Sequence, residues 1–290
     1  MTVAKTPALS RDIVGVTVGP LAHTIDARWL MAYAAGLGET DSRYFDTLAP
    51  GGPAAHPLFP VCYEWPGVLA VRARTTPDEV STRSVHVTHD VTLHRSPRAG
   101  DTLHTTARVT GLAHRRAGSL MTVRLETLDD EGRHVTTSDY GSIYRGIGFD
   151  GGDAGIAVDG RDGAEHPVDA IELPVTVLAG LAHVYTECAR IWNPIHTDVA
   201  VARAAGLPDV ILHGTATLAL AVSRILYHTA ADPRAVGRVS ARFTGMVRLP
   251  SILTLRVGTS SGRKAFIFDA AGEDGSLVLS AGTLGLAETG

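Results

Sequence analysis

Apolar and polar residues alternate with the period of β-strands along two separate stretches of the chain, and helical periodicity precedes each of them. In the first stretch, RSVHVTHDVTLH from Arg83, DTLHTTARVTGL from Asp101, LMTVRLETL from Leu120 and VTTSDYGSIYRG from Val135 are rich in Thr, Val and Tyr. Turn residues such as Ser-Pro-Arg-Ala-Gly separate them. In the second, RVSARFTGMVRL from Arg238, SILTLRVGTSS from Ser251, KAFIFDAAG from Lys264 and SLVLSAGTLGLA from Ser276 repeat the series with Gly-containing turns suited to an antiparallel meander. Before this second series, HGTATLALAVSRILYHTAA from His213 places Leu218, Val222, Ile225 and Leu226 at helical spacing, which predicts a long helix buried along one face. PVCYEWPGVLAVRAR from Pro60 is the counterpart in the first half, with Pro66 restricting where that helix begins.

The two series belong to a repeat. Tyr33, Glu39, Tyr44 and Asp46 share a gapless register with Tyr185, Ile191, His196 and Asp198, 152 residues on, and Pro97 and Pro250 stand 153 apart. A register held over such a distance argues for duplication of one unit. The predicted fold is α+β, a double hot dog: two antiparallel sheets, each wrapping a long central helix, forming a pseudo-dimer within one chain. Between the halves, residues 146–166 hold seven Gly and four Asp without sustained periodicity and read as a flexible linker. The expected domains are therefore a first lobe over 1–145, the linker over 146–166 and a second lobe over 167–290.

Composition narrows the functions available. The 290 residues are 44% apolar and 19% charged, ample for a core, and no apolar run approaches the roughly 18 residues of a membrane span. With 26 Lys and Arg against 30 Asp and Glu, the formal charge of −4 provides no basic field for a phosphate backbone, so neither nucleic acid nor membrane is an expected partner. Two cysteines, Cys62 and Cys188, are too few for a disulfide framework, and the start of the chain has no export pattern, so a reduced, cytoplasmic protein is expected. His86, His89 and His94 are spaced irregularly, and no metal site is expected.

The stretch YTECARIWNPIHTDVAVARAAGLPDVILHGTATLALA from Tyr185 carries the candidate chemistry. A helix over Leu178 to Arg190 is expected to end by Asn193, because Pro194 has no amide hydrogen and drives its predecessor into an extended conformation. His196 is then presented from a turn, where an imidazole suits acid or base catalysis, and the Asn193 amide can orient the ring or a water. Gly214 opens the apolar helix, where free amides and the positive end of the dipole can receive negative charge on an oxygen.

Asn193-Pro194-Ile195-His196-Thr197-Asp198, Ala205-Gly206-Leu207-Pro208 and Ile211-Leu212-His213-Gly214 together resemble the signature of the MaoC-like, or type 2 (R)-specific, enoyl-CoA hydratase family. The two-lobed members of that family pair a first hot dog without the motif with a second that retains it. The resemblance implies hydration of an enoyl thioester, or dehydration of a 3-hydroxyacyl thioester, carried on coenzyme A or acyl carrier protein. No cofactor is implied beyond the pantetheine arm of the substrate. It also implies catalytic roles for His196 and Asn193 and an oxyanion-binding role for the Gly214 amide. The family's aspartate, two residues before the Asn, is Ile191 here, and an isoleucine cannot accept a proton.

Two carboxylates are candidates to fill the gap. Glu187 precedes Ile191 by one helical turn, and Glu39 holds the register position of Ile191 in the first lobe, beside Tyr44 in the place of His196. Arg190 stays protonated and is suited only to holding an anion. Ile191, Trp192 and His213 are expected around the substrate pocket, with Trp192 packed at the helix end and His213 capping the apolar helix. Two other functions share this site: isomerisation or cyclisation by His196 without water, and non-catalytic binding of an acyl thioester. A homodimer is compatible with either.

Overall fold

Each predicted strand series folds into a curled antiparallel half-sheet around one 16-residue helix. The computed structural model describes residues 8–160, 167–260 and 265–287. In the first lobe β1 (Thr17–Thr24) leads into α1 (Ala27–Gly36) and α2 (Pro60–Thr75), followed by β2 (Ser84–Leu93), β3 (Thr102–Arg115), β4 (Gly118–Asp129) and β5 (His134–Arg145). In the second, β6 (Val168–Val177) leads into α3 (Leu181–Ala189), a short α4 (Val199–Ala204) and α5 (Gly214–Thr229), then β7 (Val236–Phe243), β8 (Ser251–Thr259), β9 (Ala265–Ala271) and β10 (Leu277–Leu286). The alternation in the strands that follow each lobe's long helix lets one face of the sheet bury against that helix.

The order across the sheet is β1-β3-β4-β5-β2-β7-β10-β9-β8-β6, so each lobe runs through the same topology in mirror order. The two expected sheets are joined at their second strands into one continuous sheet. At the seam β2 pairs antiparallel with β7, Thr92 opposite Arg238 and His89 opposite Ala241. Arg238 also reaches both carboxylate oxygens of Asp90 across the seam, at 2.9 and 2.6 Å. A duplicated unit with a free edge strand satisfies the unpaired amides of both copies by this pairing.

α5 buries Leu218, Val222 and Ile225 completely, each such side chain contributing about 1.5–3 kcal/mol. α2 is its counterpart and runs straight through Pro66. An interior proline costs about 3 kcal/mol, and here burial of Val61, Val68 and Val71 against the half-sheet offsets it. Gly67 permits the close approach, since a Cβ there would sit 3.3 Å from Leu125 and 3.4 Å from Ala107.

Residues in equal register meet at the pseudo-two-fold axis. The Tyr33 and Tyr185 rings lie 5.7 Å apart with their hydroxyls at 3.4 Å, and a Cβ on Gly36 would stand 2.9 Å from that of Cys188. Both pairs differ by 152 residues.

Two local expectations are corrected. α3 stops at Ala189 rather than near Asn193, because Arg190 adopts a left-handed conformation (φ 58°) and ends the helix before Pro194 acts. The described part of the Gly/Asp-rich stretch is held down: Gly148–Phe149 pairs with Ala8–Leu9, Ala154–Gly155 pairs with β3, Asp153 accepts from the His114 amide at 2.8 Å, and the Asp159 carbonyl accepts from Arg242 of β7. Residues 161–166 of that stretch lie outside the described residues. No described helix is long and apolar enough to cross a membrane.

Candidate active site

Pro194 opens a short 3-10 turn, Pro194–His196, after Asn193 in extended conformation, and the turn holds the imidazole of His196 against the start of α5. The His196 Nδ1–H donates to the carbonyl of Ile211 at 2.8 Å, so that nitrogen carries the proton and Nε2 keeps its lone pair. Among the described residues Nε2 has no hydrogen-bond partner, and the ring is one wall of a cavity of about 490 Å3. Burial pulls the His196 pKa down to about 4, opposed by the bond to Ile211. The ring is therefore neutral at physiological pH.

His213 stacks on His196 with centroids 3.7 Å apart, and its Nε2 shares a 3.2 Å hydrogen bond with the Thr186 hydroxyl. It occupies the N-cap position of α5 but its side chain makes no capping bond. Its role is to back the imidazole rather than to cap the helix. Burial, with the adjacent His196 second, pulls its pKa down to about 2.

Gly214 is the first residue of α5, so its amide and those of Thr215 and Ala216 have no carbonyl one turn earlier to accept them. It lines the same cavity as His196. The ring of Phe243 lies so close that a Cβ at position 214 would meet it at 3.0 Å. A side chain there would press on that ring.

Ile191 is 5% exposed and also lines this cavity, so the position read as the missing aspartate presents a methyl-rich wall near the imidazole. Because α3 ends at Ala189, Glu187 and Ile191 do not share a helix face. Glu187 is exposed and lines a separate surface cleft with His183, Thr186, Trp192 and Pro194. It therefore does not replace the aspartate. Trp192, expected in the pocket and packed at the helix end, is 61% exposed and borders that same outer cleft. Asn193 lines both spaces. The Arg190 guanidinium lies 3.9 Å over the Trp29 ring, where it closes the α1–α3 contact.

The first lobe keeps the geometry of this site with different chemistry. His56 stands where His213 does: it lies beside Tyr33 (5.6 Å, 53°) as His213 lies beside Tyr185 (5.0 Å, 53°), and it stacks on Tyr44 (28°) as His213 stacks on His196 (26°). Pro57 then takes the place of Gly214 and supplies no amide hydrogen. The His56 Nδ1 accepts from the Leu58 amide at 3.1 Å, so its proton sits on Nε2, which donates to Ser223. Burial lowers the His56 pKa to about 3, so its 3.9 Å approach to the Glu39 carboxylate is not an ion pair. Burial likewise raises the Glu39 pKa. The Glu39–Tyr44 pair is thus packed against an imidazole with no free nitrogen, and Pro57 offers no amide hydrogen where Gly214 does.

Sequence reasoning missed the other end of the main cavity, where Glu64, His86, His89 and Tyr140 of the first lobe form its wall. One signal was available: Glu64 is the single acid in the helical run from Pro60 and stands between two aromatic residues, Tyr63 and Trp65.

Residues 164–271 match the model of the MaoC like domain, and residues 12–138 match the FAS1-like dehydratase domain region. Enoyl-CoA hydratase ChsH3 of Mycobacterium tuberculosis is 25% identical over 280 residues, covering 92% of this chain and 95% of that protein. Among solved structures, a MaoC-like dehydratase from Phytophthora capsici superposes with a TM-score of 0.78 at 20% identity, covering 96% of this chain and 98% of its own. A Mycobacterium tuberculosis protein described as having a double hotdog fold superposes at 0.63 with 16% identity, covering 94% and 96%.

Proposed function

Because the chain carries a MaoC-like domain joined to a FAS1-like dehydratase region, we propose that it interconverts 2-enoyl and 3-hydroxyacyl thioesters of coenzyme A or acyl carrier protein. The observation that carries this reading is the His196 imidazole, fixed through Nδ1 so that an unprotonated Nε2 shares a cavity with the free amide of Gly214.

In the dehydration direction Nε2 takes the proton from C2. The electron pair moves into the thioester carbonyl, whose oxygen is stabilised by the Gly214 N–H. The pair then returns to form the C2–C3 double bond, the C3–O bond breaks, and the leaving hydroxyl takes the proton from Nε2–H to depart as water. Hydration is the reverse. One imidazole carries both transfers, with the Asn193 amide orienting the hydroxyl. The missing carboxylate is expected to lower the rate by about 100- to 10,000-fold relative to a site that has both the imidazole and the aspartate. The chemistry calls for no cofactor besides the pantetheine arm.

The apolar Ile191 wall favours a second reading, proton transfer at C2 without water, as in isomerisation or cyclisation. Incubation with short, long and branched enoyl-CoAs separates the two. Hydration yields a product heavier by one water and His196→Ala abolishes it. A rearranged product of unchanged mass supports the second reading, and no conversion at any chain length contradicts both.

A further inference from the structure

The cavity does not end beside the second lobe. Beyond Phe243, whose ring packs on Gly214 and lies 4.7 Å from the ring of His86, it continues between α2 and the strands of the first lobe. That end is polar. The Glu64 carboxyl is 2% exposed, and its Oε1 accepts from Ser138 at 2.7 Å and from Thr136 at 3.3 Å, which fixes the side chain and leaves Oε2 without a partner. His89 is 1% exposed and neither of its ring nitrogens has a hydrogen bond; the Ser84 hydroxyl is likewise unpartnered.

The strand register gathers these groups. His89 lies directly opposite Tyr140, and Ser138, which holds Glu64, is two residues along the same strand face. His86 stacks on the same Tyr140 at 3.6 Å. Buried donors and acceptors in folded proteins are nearly always paired, so several unpaired ones walling one cavity point to a partner supplied from outside the chain. A plain hydrocarbon tail offers none. Burial lowers the pKa of both His86 and His89, so the partner they suit is a neutral hydrogen-bonding group rather than an anion.

We propose that the first-lobe end of the cavity binds an oxygen function, a hydroxyl or keto group, carried by the acyl moiety at a distance from the thioester. The substrates are then oxygenated acyl chains or rings rather than simple fatty acyl groups. The site lies one phenyl ring away from Gly214, within reach of an acyl group whose carbonyl rests there. This inference builds on the thioester reading above and deepens it.

Calorimetric binding of non-reacting acyl-CoA thioether analogues tests it without requiring turnover. Saturated chains of matched length, with and without a hydroxyl or keto group near the far end, form the pairs. The expected result is at least about tenfold tighter binding of the oxygenated member. His89→Leu is expected to reduce that preference to within about twofold and to raise the melting temperature by removing two unpaired nitrogens. Glu64→Gln, which keeps the bonds to Ser138 and Thr136, reduces the preference in parallel. Equal binding of both analogues across the length series, or a preference surviving in both variants, overturns the inference and leaves the thioester reading standing. Failure of every analogue to bind overturns both.

Discussion

At the scale of single residues, burial has removed the charge of several histidines. His56, His89, His196 and His213 have pKa values pulled down to about 3, 4, 4 and 2, with desolvation the first cause in each. Below their ordinary value near 6.5 the unfolded chain takes up protons that the folded one refuses, so stability falls as pH drops from about 6.5 toward 4. Glu64 acts in the opposite sense, since burial raises it to about 7 and the folded state keeps a proton that the unfolded chain loses above its usual carboxylate range. Burial also lowers His86 and raises Glu39, so the histidines outnumber the glutamates and acid unfolding takes up protons on balance. Urea titrations at successive pH values are expected to show that steep loss between pH 6.5 and 4; a flat profile there contradicts the burial of neutral imidazoles. The turn that carries His196 and the start of α5 at Gly214 were legible in the sequence because both are set by local chemistry within one short segment. Glu64 and His89 were not, because only the register of β2 against β5 and the packing of α2 bring them to one cavity.

At the scale of elements, the strand series were legible because period-2 alternation is local and the turn residues between them are unambiguous. α2 was harder to bound, since Pro66 argues locally for a break that tertiary burial overrides. β1 and β6 escaped the pattern altogether: their burial is weak along most of their length, as befits edge strands. The end of α3 was misplaced because a left-handed Arg190 gives no sequence signal comparable to a glycine. That early end separates Glu187 from the cavity. The α1–α3 contact depends on Gly36, where an added side chain would be driven against Cys188. Gly36→Val is expected to destabilise the fold by about 1–3 kcal/mol through overpacking, whereas Gly38→Ala, placed in open space but at φ +79°, should show a strain effect only. Chemical denaturation of the two variants checks the difference, and equal costs contradict a close-packed axis.

At the scale of the whole molecule, the two lobes keep one geometry with different side chains. Both lobes retain the tyrosine, the stacked pair of rings and the long helix. In the second lobe the pair is two imidazoles followed by a glycine; in the first it is a tyrosine and an imidazole followed by a proline. One half thus retains a free base nitrogen and a free amide, and the other lends its sheet and α2 to the far wall of the same cavity. The duplication could be read from Tyr33 and Tyr185, yet the continuous sheet could not, since strand alternation does not say which edges meet. The central claim is that Nε2 of His196 moves a proton at C2 of a bound thioester. It is tested most directly by incubating a 3-hydroxyacyl-CoA with the protein in deuterated water and following C2 by NMR. The account predicts deuterium entering a single C2 position with the wild-type protein and none above background with His196→Gln; exchange that persists undiminished in His196→Gln would contradict it.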